Sequence, residues 1–265
     1  MTHMRIGGIA GALALWLACA AAAAELKTET VEAFNRYIRT TEAQVAERTS
    51  GRRSFLWADE SRPRLEQARQ GQAVAQPWNG QGEVRVPNGL IHDWIGTVFI
   101  PGATLETTLA LVRDYDNHHK VYPPEVIGSK ILAHSQNHYK VYLRLLKKKV
   151  LTVVLNTEHD VDYYPLDRTR WHSRSYSTRI AQVEDPGKSN ERELPVGKDN
   201  GFLWRLYSYW RFAERDGGVW MECQAVSLTR DIPAGLGWLI QPIIRDLPRE
   251  SLERTLEATH RALGR

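Results

Sequence analysis

Before position 70 the apolar residues recur every three or four positions, and from position 90 onward they alternate with polar ones at a period of two. Over 25–48, Val31, Phe34, Ile38 and Val45 share one helical face, with Thr28 as a candidate cap and Glu29 and Glu32 near the positive end of the dipole. A second charged stretch, 54–69, is broken by Pro63 and predicts helix after it. Segment 71–89 differs in kind. Gln, Gly, Pro and Asn recur there and Trp78 is the main bulky residue, which is the composition of a linker.

The run LIHDWIGTVFIP over 90–101 is rich in aromatic and β-branched residues and predicts a strand ending at Pro101-Gly102. Thr104 then caps a helix expected to reach about Asn117, with Leu105, Leu109 and Val112 on one face. The adjacent Pro123 and Pro124 forbid helix beyond it. Six strands follow, predicted over 126–134, 138–147, 150–164, 170–184, 202–214 and 219–229. Two turns are explicit, Ser135-Gln136-Asn137 and Asp216-Gly217-Gly218, and 185–201 is a polar loop. The chain ends in a short apolar piece, 236–244, and a helix opened by Pro248 with Leu252, Leu256, Thr259 and Leu263 on one face. This order predicts an α+β fold in which one curved antiparallel sheet wraps a long C-terminal helix. The gap between sheet and helix is the place for a ligand.

Composition narrows the function classes. Hydrophobic residues at 42% and charged residues at 25% exclude wholesale disorder. Two cysteines exclude a disulfide scaffold, and a formal charge of +4 argues against a dedicated nucleic-acid partner. Residues 1–24 hold one positive charge, Arg5, an apolar run and a string of alanines. That is the pattern of a signal peptide cleaved after Ala24, and it predicts an exported protein, periplasmic or secreted. A retained membrane anchor and a lipoprotein acylated at Cys19 are the alternatives, the latter disfavoured by Trp16 where such signals usually have Leu. Cleavage removes one Arg and no acid, lowering the formal charge from +4 to +3. It leaves Cys223 as the lone cysteine, in strand-like flanks that predict a buried, inert thiol. The organisation read from the sequence is a leader over 1–24, a helical extension over 25–70, a linker over 71–89 and the main domain over 90–265.

The segments Tyr209-Trp210-Arg211-Phe212, Asp216-Gly217-Gly218, Arg230-Asp231-Ile232-Pro233 and Leu247-Pro248-Arg249-Glu250-Ser251-Leu252, taken with the element order, resemble the START-like superfamily. These helix-grip proteins include polyketide-cyclase and coenzyme-Q-binding branches. The resemblance covers about 90–263 and leaves 25–89 unexplained. It implies a helix-grip fold and a cavity for a lipid, sterol, quinone or other apolar molecule, with cyclisation or hydrolysis in a few members. Fold alone does not choose among these.

The search for chemistry is mostly negative. There is no GxGxxG or P-loop, so no nucleotide cofactor is expected. His118, His119, Asp114 and Asp116 form the densest metal-like cluster, but adjacent helical residues point about 100° apart, and no metal is expected there. His92 and Asp93 are strand neighbours on opposite faces and cannot form one catalytic unit. No catalytic residue is assigned. In 202–212 one period-two set is Phe202, Trp204, Leu206, Ser208, Trp210 and Phe212, and the other mixes Tyr with Arg. The first set is assigned to the concave side, which makes Trp204 and Trp210 cavity candidates. Glu222 is a candidate buried acid inside the cavity, or else a partner of Arg211 or Arg205 across the hairpin. Tyr142 and Arg144, with Trp171 and Ser173, are candidate polar points on the cavity wall, and Trp238, Leu252 and Leu256 are candidates from the C-terminal segments. Lys147-Lys148-Lys149 reads as a solvated edge or hairpin end, with contact to an anionic membrane surface as the alternative.

The leading expectation is an exported carrier or sensor of an apolar small molecule. A cyclase- or hydrolase-type enzyme in the same cavity is the second. The third is a partner-binding module of the cell envelope working through the helical extension. Nothing in the pattern sets an oligomeric state.

Overall fold

The alternating 90–101 run becomes a strand buried along nearly its whole length, because both of its faces find cover. The computed structural model describes residues 24–78, 80–148, 152–231 and 237–264, with side chains of the last helix described from Asp246 onward. The leader read over 1–24 lies outside the described residues except for Ala24.

A two-residue strand β1 (Ala24–Glu25) precedes helix α1 (Thr28–Thr49). Lys27, not Thr28, holds the cap position, and its carbonyl takes the first amides, from Thr30 and Val31. After a 3-10 turn, Trp57–Glu60, comes α2 (Arg62–Arg69), which opens on Pro63 as its fixed φ favours. The stretch read as a linker is part of the sheet. Its strands β2 (Val74–Pro77) and β3 (Glu83–Val86) pair in succession with the edge of β4 (Gly89–Pro101), so main-chain pairing overrides a turn-like composition. Trp78 donates from Nε1 to Gln44 Oε1 on α1 at 3.0 Å, fixing this segment to the helix.

Helix α3 (Leu105–Arg113) begins at a reciprocal Thr104–Thr107 capping box. It ends four residues before the expected Asn117, and a 3-10 turn, Tyr115–Asn117, leads into the single turn α4 (His118–Val121). Then come β5 (Val126–Ser135), β6 (His138–Lys148), β7 (Thr152–Pro165) and β8 (Arg170–Glu184). Two short strands, β9 (Arg192–Glu193) and β10 (Lys198–Asp199), interrupt the polar loop. The long hairpin β11 (Arg205–Arg215) and β12 (Gly218–Arg230) turns at Asp216-Gly217, both with positive φ. The main sheet runs β2-β4-β12-β11-β8-β7-β6-β5, all antiparallel, with β3 also on β4 and β9 on β8.

Helix α5 (Gly237–Leu263) is one continuous helix, not a short apolar piece followed by a helix opened by Pro248. Pro242 and Pro248 both lie inside it, each lacking the N–H its turn would use, so proline did not mark the start. The α5 residues Leu252 and Leu256 pack on β4 at Gly96, where a Cβ would come within 2.7 Å of Leu256 Cδ1. On this concave side the core holds Val98, Ile100, Leu109, Phe212, Met221, Leu252 and Leu256.

The convex side has its own core. Phe34 and Ile38 of α1 pack with Ile91, Trp204, Tyr209, Val226 and Leu228, while Phe55 and Leu56 pack with Phe99 and Trp220. The 25–70 extension therefore folds back over the outside of the sheet. Two buried carboxylates pin it there. Glu222 accepts the amides of Trp57 and Ala58, each at 3.0 Å, and Asp93 accepts the Tyr37 hydroxyl at 2.8 Å and Gln224 Nε2 at 3.0 Å.

Candidate functional site

A cavity of about 290 Å³ lies between the concave face of the sheet and α5. Its walls come from alternate residues of β6 (Val141, Leu143, Leu145), β7 (Val153, Leu155, Val161) and the β11–β12 hairpin (Trp210, Phe212, Ala225). Leu247, Pro248, Ser251, Leu252 and Thr255 of α5 close the other side. The α3–α4 region adds Val112, Tyr115, His118 and Tyr122. The period-two rule explains why so many strands contribute only odd or only even positions.

Three groups of polar residues interrupt this lining, besides Ser227 and Thr229 of β12. The first joins three elements. Glu125, in the turn before β5, accepts from Lys147 Nζ at the end of β6, from Ser251 Oγ at 3.0 Å and from Arg254 Nε at 2.8 Å, the last two on α5. Burial favours the neutral acid, but Lys147 and Arg254 outweigh it and hold the Glu125 carboxyl below its usual range. Burial likewise pushes the Lys147 ammonium down, against the pull of Glu125.

The second is a chain of hydroxyls under α3. Tyr163 donates to the Val112 carbonyl at 3.2 Å, so Tyr115, 2.8 Å from Tyr163 Oη, donates to it in turn. His118 Nε2 also reaches the Val112 carbonyl, at 3.2 Å, and burial pushes the pKa of His118 down to about 4. The third is on the floor of the sheet, where His159, Ser175 and Ser208 line the cavity. Burial brings the His159 pKa to about 4 as well. Among the described residues no three His, Cys, Asp or Glu side chains come together to hold a metal.

The residues expected from the sequence divide sharply. Trp210 and Leu252 line the cavity, and Leu256 lies under the helix on Gly96. Trp171 packs at the edge of the concave core beneath Arg113, whose guanidinium is 4.5 Å from its ring, and Ser173 is buried on the same face opposite Trp210. Trp204 is elsewhere. It precedes β11, so strand alternation cannot be extended back to it, and its ring packs on the α1 side with Nε1 bonded to Asp199. Glu222 is also on the convex side, because Trp210 pairs with Cys223 and Arg211 with Glu222. It forms the ion pair with Arg211 that the sequence offered as the alternative to an acid in the cavity. Tyr142 and Arg144 face outward too, bonding Asn156 on the far side of the sheet. Trp238 is in the first turns of α5, where side chains lie outside the described residues.

Lys147 is not a solvated hairpin end; it is half-buried in the cavity wall. Lys148 is exposed, and Lys149 lies outside the described residues. Cys223 is a buried free thiol on the cavity wall, its pKa raised by burial. The cavity residues missed on β6 were readable by the criterion applied to β11. Val141, Leu143 and Leu145 form an apolar period-two set, whereas Tyr142 and Arg144 belong to the mixed one. Tyr115, His118 and Glu125 carried no such signal, since they come from irregular turns.

No family model and no curated protein matches the sequence. Among solved structures the chain is similar to a STAR-related lipid transfer protein fragment from Xanthomonas axonopodis, with 16% identity and a TM-score of 0.47, over 70% of this chain and 100% of that one. It is similar to a START superfamily protein from Mycobacterium smegmatis, with 14% identity and a TM-score of 0.42, over 65% and 97% of the two chains. A third is the Zhui aromatase/cyclase from Streptomyces sp. R1128, with 16% identity and a TM-score of 0.40, over 65% and 93%. An antiparallel sheet whose concave face grips a long C-terminal helix across a cavity is a helix-grip fold, and this chain has it.

Proposed function

We propose that the chain binds an apolar small molecule in the cavity between the sheet and α5. The observation that carries this reading is the cavity itself, about 290 Å³ walled mainly by Val, Leu, Phe and Trp side chains. Protein interiors rarely keep voids much larger than a water molecule, so a lined space of this size calls for an occupant. The volume falls near the lower end of the roughly 300–1,000 Å³ typical of ligand sites. It suits one ring system or one short chain. The chemistry of the wall favours holding over turnover: Glu125 and Lys147 neutralise one another, and imidazoles with pKa near 4, such as His118 and His159, are weak bases at neutral pH. By its leader sequence the protein would do this outside the cytoplasm, which N-terminal sequencing of the exported chain would check.

The test is native mass spectrometry of the mature protein purified from its own envelope fraction, followed by solvent extraction. The expected result is a reproducible apolar adduct that Ala225→Phe, which fills the cavity from its floor, removes while the circular dichroism spectrum is retained. An empty protein that also ignores a broad panel of lipids and quinones would overturn the reading and move attention to the extension as a partner-binding element.

A further inference from the structure

The floor of the cavity carries a set of hydrogen-bonding groups whose proton directions can be worked out. Thr157 has one hydroxyl hydrogen, and it is given to the Leu143 carbonyl at 3.0 Å. Thr157 Oγ1 is also 3.0 Å from His159 Nε2, so at that contact it accepts and His159 Nε2 carries the hydrogen. Burial keeps the ring neutral, which leaves Nδ1 as a lone-pair acceptor on a residue that lines the cavity. Two strands away, on β11, Ser208 accepts from Trp210 Nε1 at 3.2 Å, so its own O–H is the group it has to offer. Ser175 pairs directly with Ser208 across β8 and β11, and with Val161, two residues beyond His159 on β7. His159 and Ser175 thus lie on adjacent strands of the concave floor, two residues out of register, with Ser208 one strand further on and Val161, Leu206 and Trp210 among the apolar lining.

We propose that this floor is a polar subsite that takes an uncharged hydroxyl group on an otherwise apolar ligand, the ligand O–H donating to His159 Nδ1 while its oxygen accepts from Ser175 on the neighbouring strand. The proposal rests on the cavity reading above and adds the chemical class of the ligand. Charge complementarity excludes the ionic alternatives. A carboxylate there would meet the His159 lone pair and no cation, and an ammonium would be buried with no anion, since the charged residues of the described wall, Glu125 and Lys147, bond each other. A purely apolar ligand would leave His159 Nδ1 and the serine hydroxyls desolvated and unmet.

The test uses the full mature chain and three probes of one shape at pH 7: naphthalene, 2-naphthol and 2-naphthoate, titrated by calorimetry. The expected order has 2-naphthol binding roughly tenfold tighter than naphthalene and 2-naphthoate weakest, the advantage of one to two buried hydrogen bonds. In His159→Phe the naphthol-to-naphthalene ratio falls from roughly ten to roughly one. Ser175→Ala lowers it by a smaller factor and serves as the second variant should His159→Phe misfold. Equal binding of naphthol and naphthalene, tightest binding of naphthoate, or a ratio that survives in both variants overturns the subsite while leaving the cavity reading intact. Failure of all three probes to bind overturns the cavity reading and the subsite with it.

Discussion

Arg211 and Glu222 face each other across the β11–β12 hairpin with Arg211 Nε 2.7 Å from Glu222 Oε1, and neither side chain is more than 1% exposed. The pair sits on the convex face, and the carboxylate spends its remaining capacity on the amides of Trp57 and Ala58. The strand hairpin and the extension are thereby joined through one acid. Glu222→Gln should destabilise the protein by about 3–5 kcal/mol, because it leaves the Arg211 charge buried without its partner. Adding Arg211→Met to that variant should restore part of the loss, since the introduced amide then no longer faces a buried, unpaired Arg211 guanidinium. Urea unfolding of the two singles and the double measures this, and additive losses would show that the pair is not coupled.

His118 and His159 make the cavity acid-sensitive. Both are held near pKa 4 by burial, against 6.5 for an ordinary imidazole. The sign follows from proton counting: between pH 6.5 and 4 the unfolded chain binds protons that the folded chain refuses, so stability falls as pH falls through that window. Each residue should account for about 3 kcal/mol by pH 4. Asp93 works in the opposite sense, because burial raises its pKa to about 6 and protonation favours the folded state. The His118→Phe/His159→Phe double variant should therefore show a flatter urea midpoint between about pH 7 and 4.5. Removing Asp93 as well, by Asp93→Asn, should flatten what upward drift remains on acidification.

Gly96 tests the grip of sheet on helix. A Cβ there would lie 2.7 Å from Leu256 Cδ1 and 3.2 Å from Leu252 Cδ2, both buried with little room to move. Gly96→Ala should be tolerated at a cost of about 1 kcal/mol, and Gly96→Val at about 2–3 kcal/mol, the range for overpacking a filled core. Because Leu252 also lines the cavity, Gly96→Val should weaken naphthalene binding along with stability. Unchanged calorimetric affinity in a folded Gly96→Val protein would mean that α5 does not set the cavity wall.

How far the sequence carried depended on whether a residue lay on a regular element. The strands of 126–230 and the wrapping of one long helix followed from periodicity, and so did Trp210 and Leu252, which sit well inside their elements. Trp204 escapes the rule because 202–204 is irregular and puts the consecutive Phe202 and Leu203 both on the cavity wall. Tyr142 and Arg144 lie outside because the apolar set of β6, not its polar set, marks the concave face. The docking of 25–70 was invisible for another reason. Its anchors are an acid on β12 and amides near Trp57, 165 positions apart in sequence, and no local pattern records such a pairing.

Glu125 links three elements that would otherwise meet only through apolar contact, so its removal should loosen the cavity more than its size suggests. Lys147 and Glu125 are 18% and 12% exposed, low enough for the loss of one partner to be felt by the other. Glu125→Gln should cost roughly 3 kcal/mol, toward the buried end for broken pairs. Arg254→Ala removes the more exposed contact, at 41% exposure, and should cost under about 1 kcal/mol. The pH dependence separates ion pairing from packing. The Glu125 carboxyl lies below its ordinary 4.5, so its stabilisation is complete above that value and is lost as pH falls through the lowered folded value. The gap between wild type and Glu125→Gln should accordingly narrow in acid, whereas a packing defect would keep it constant. Since α5 is tethered through Ser251 and Arg254, the same variant should release bound 2-naphthol several-fold faster in stopped-flow chase experiments. An unchanged release rate beside lowered stability would show that the Glu125 network supports the fold without controlling the wall that α5 provides.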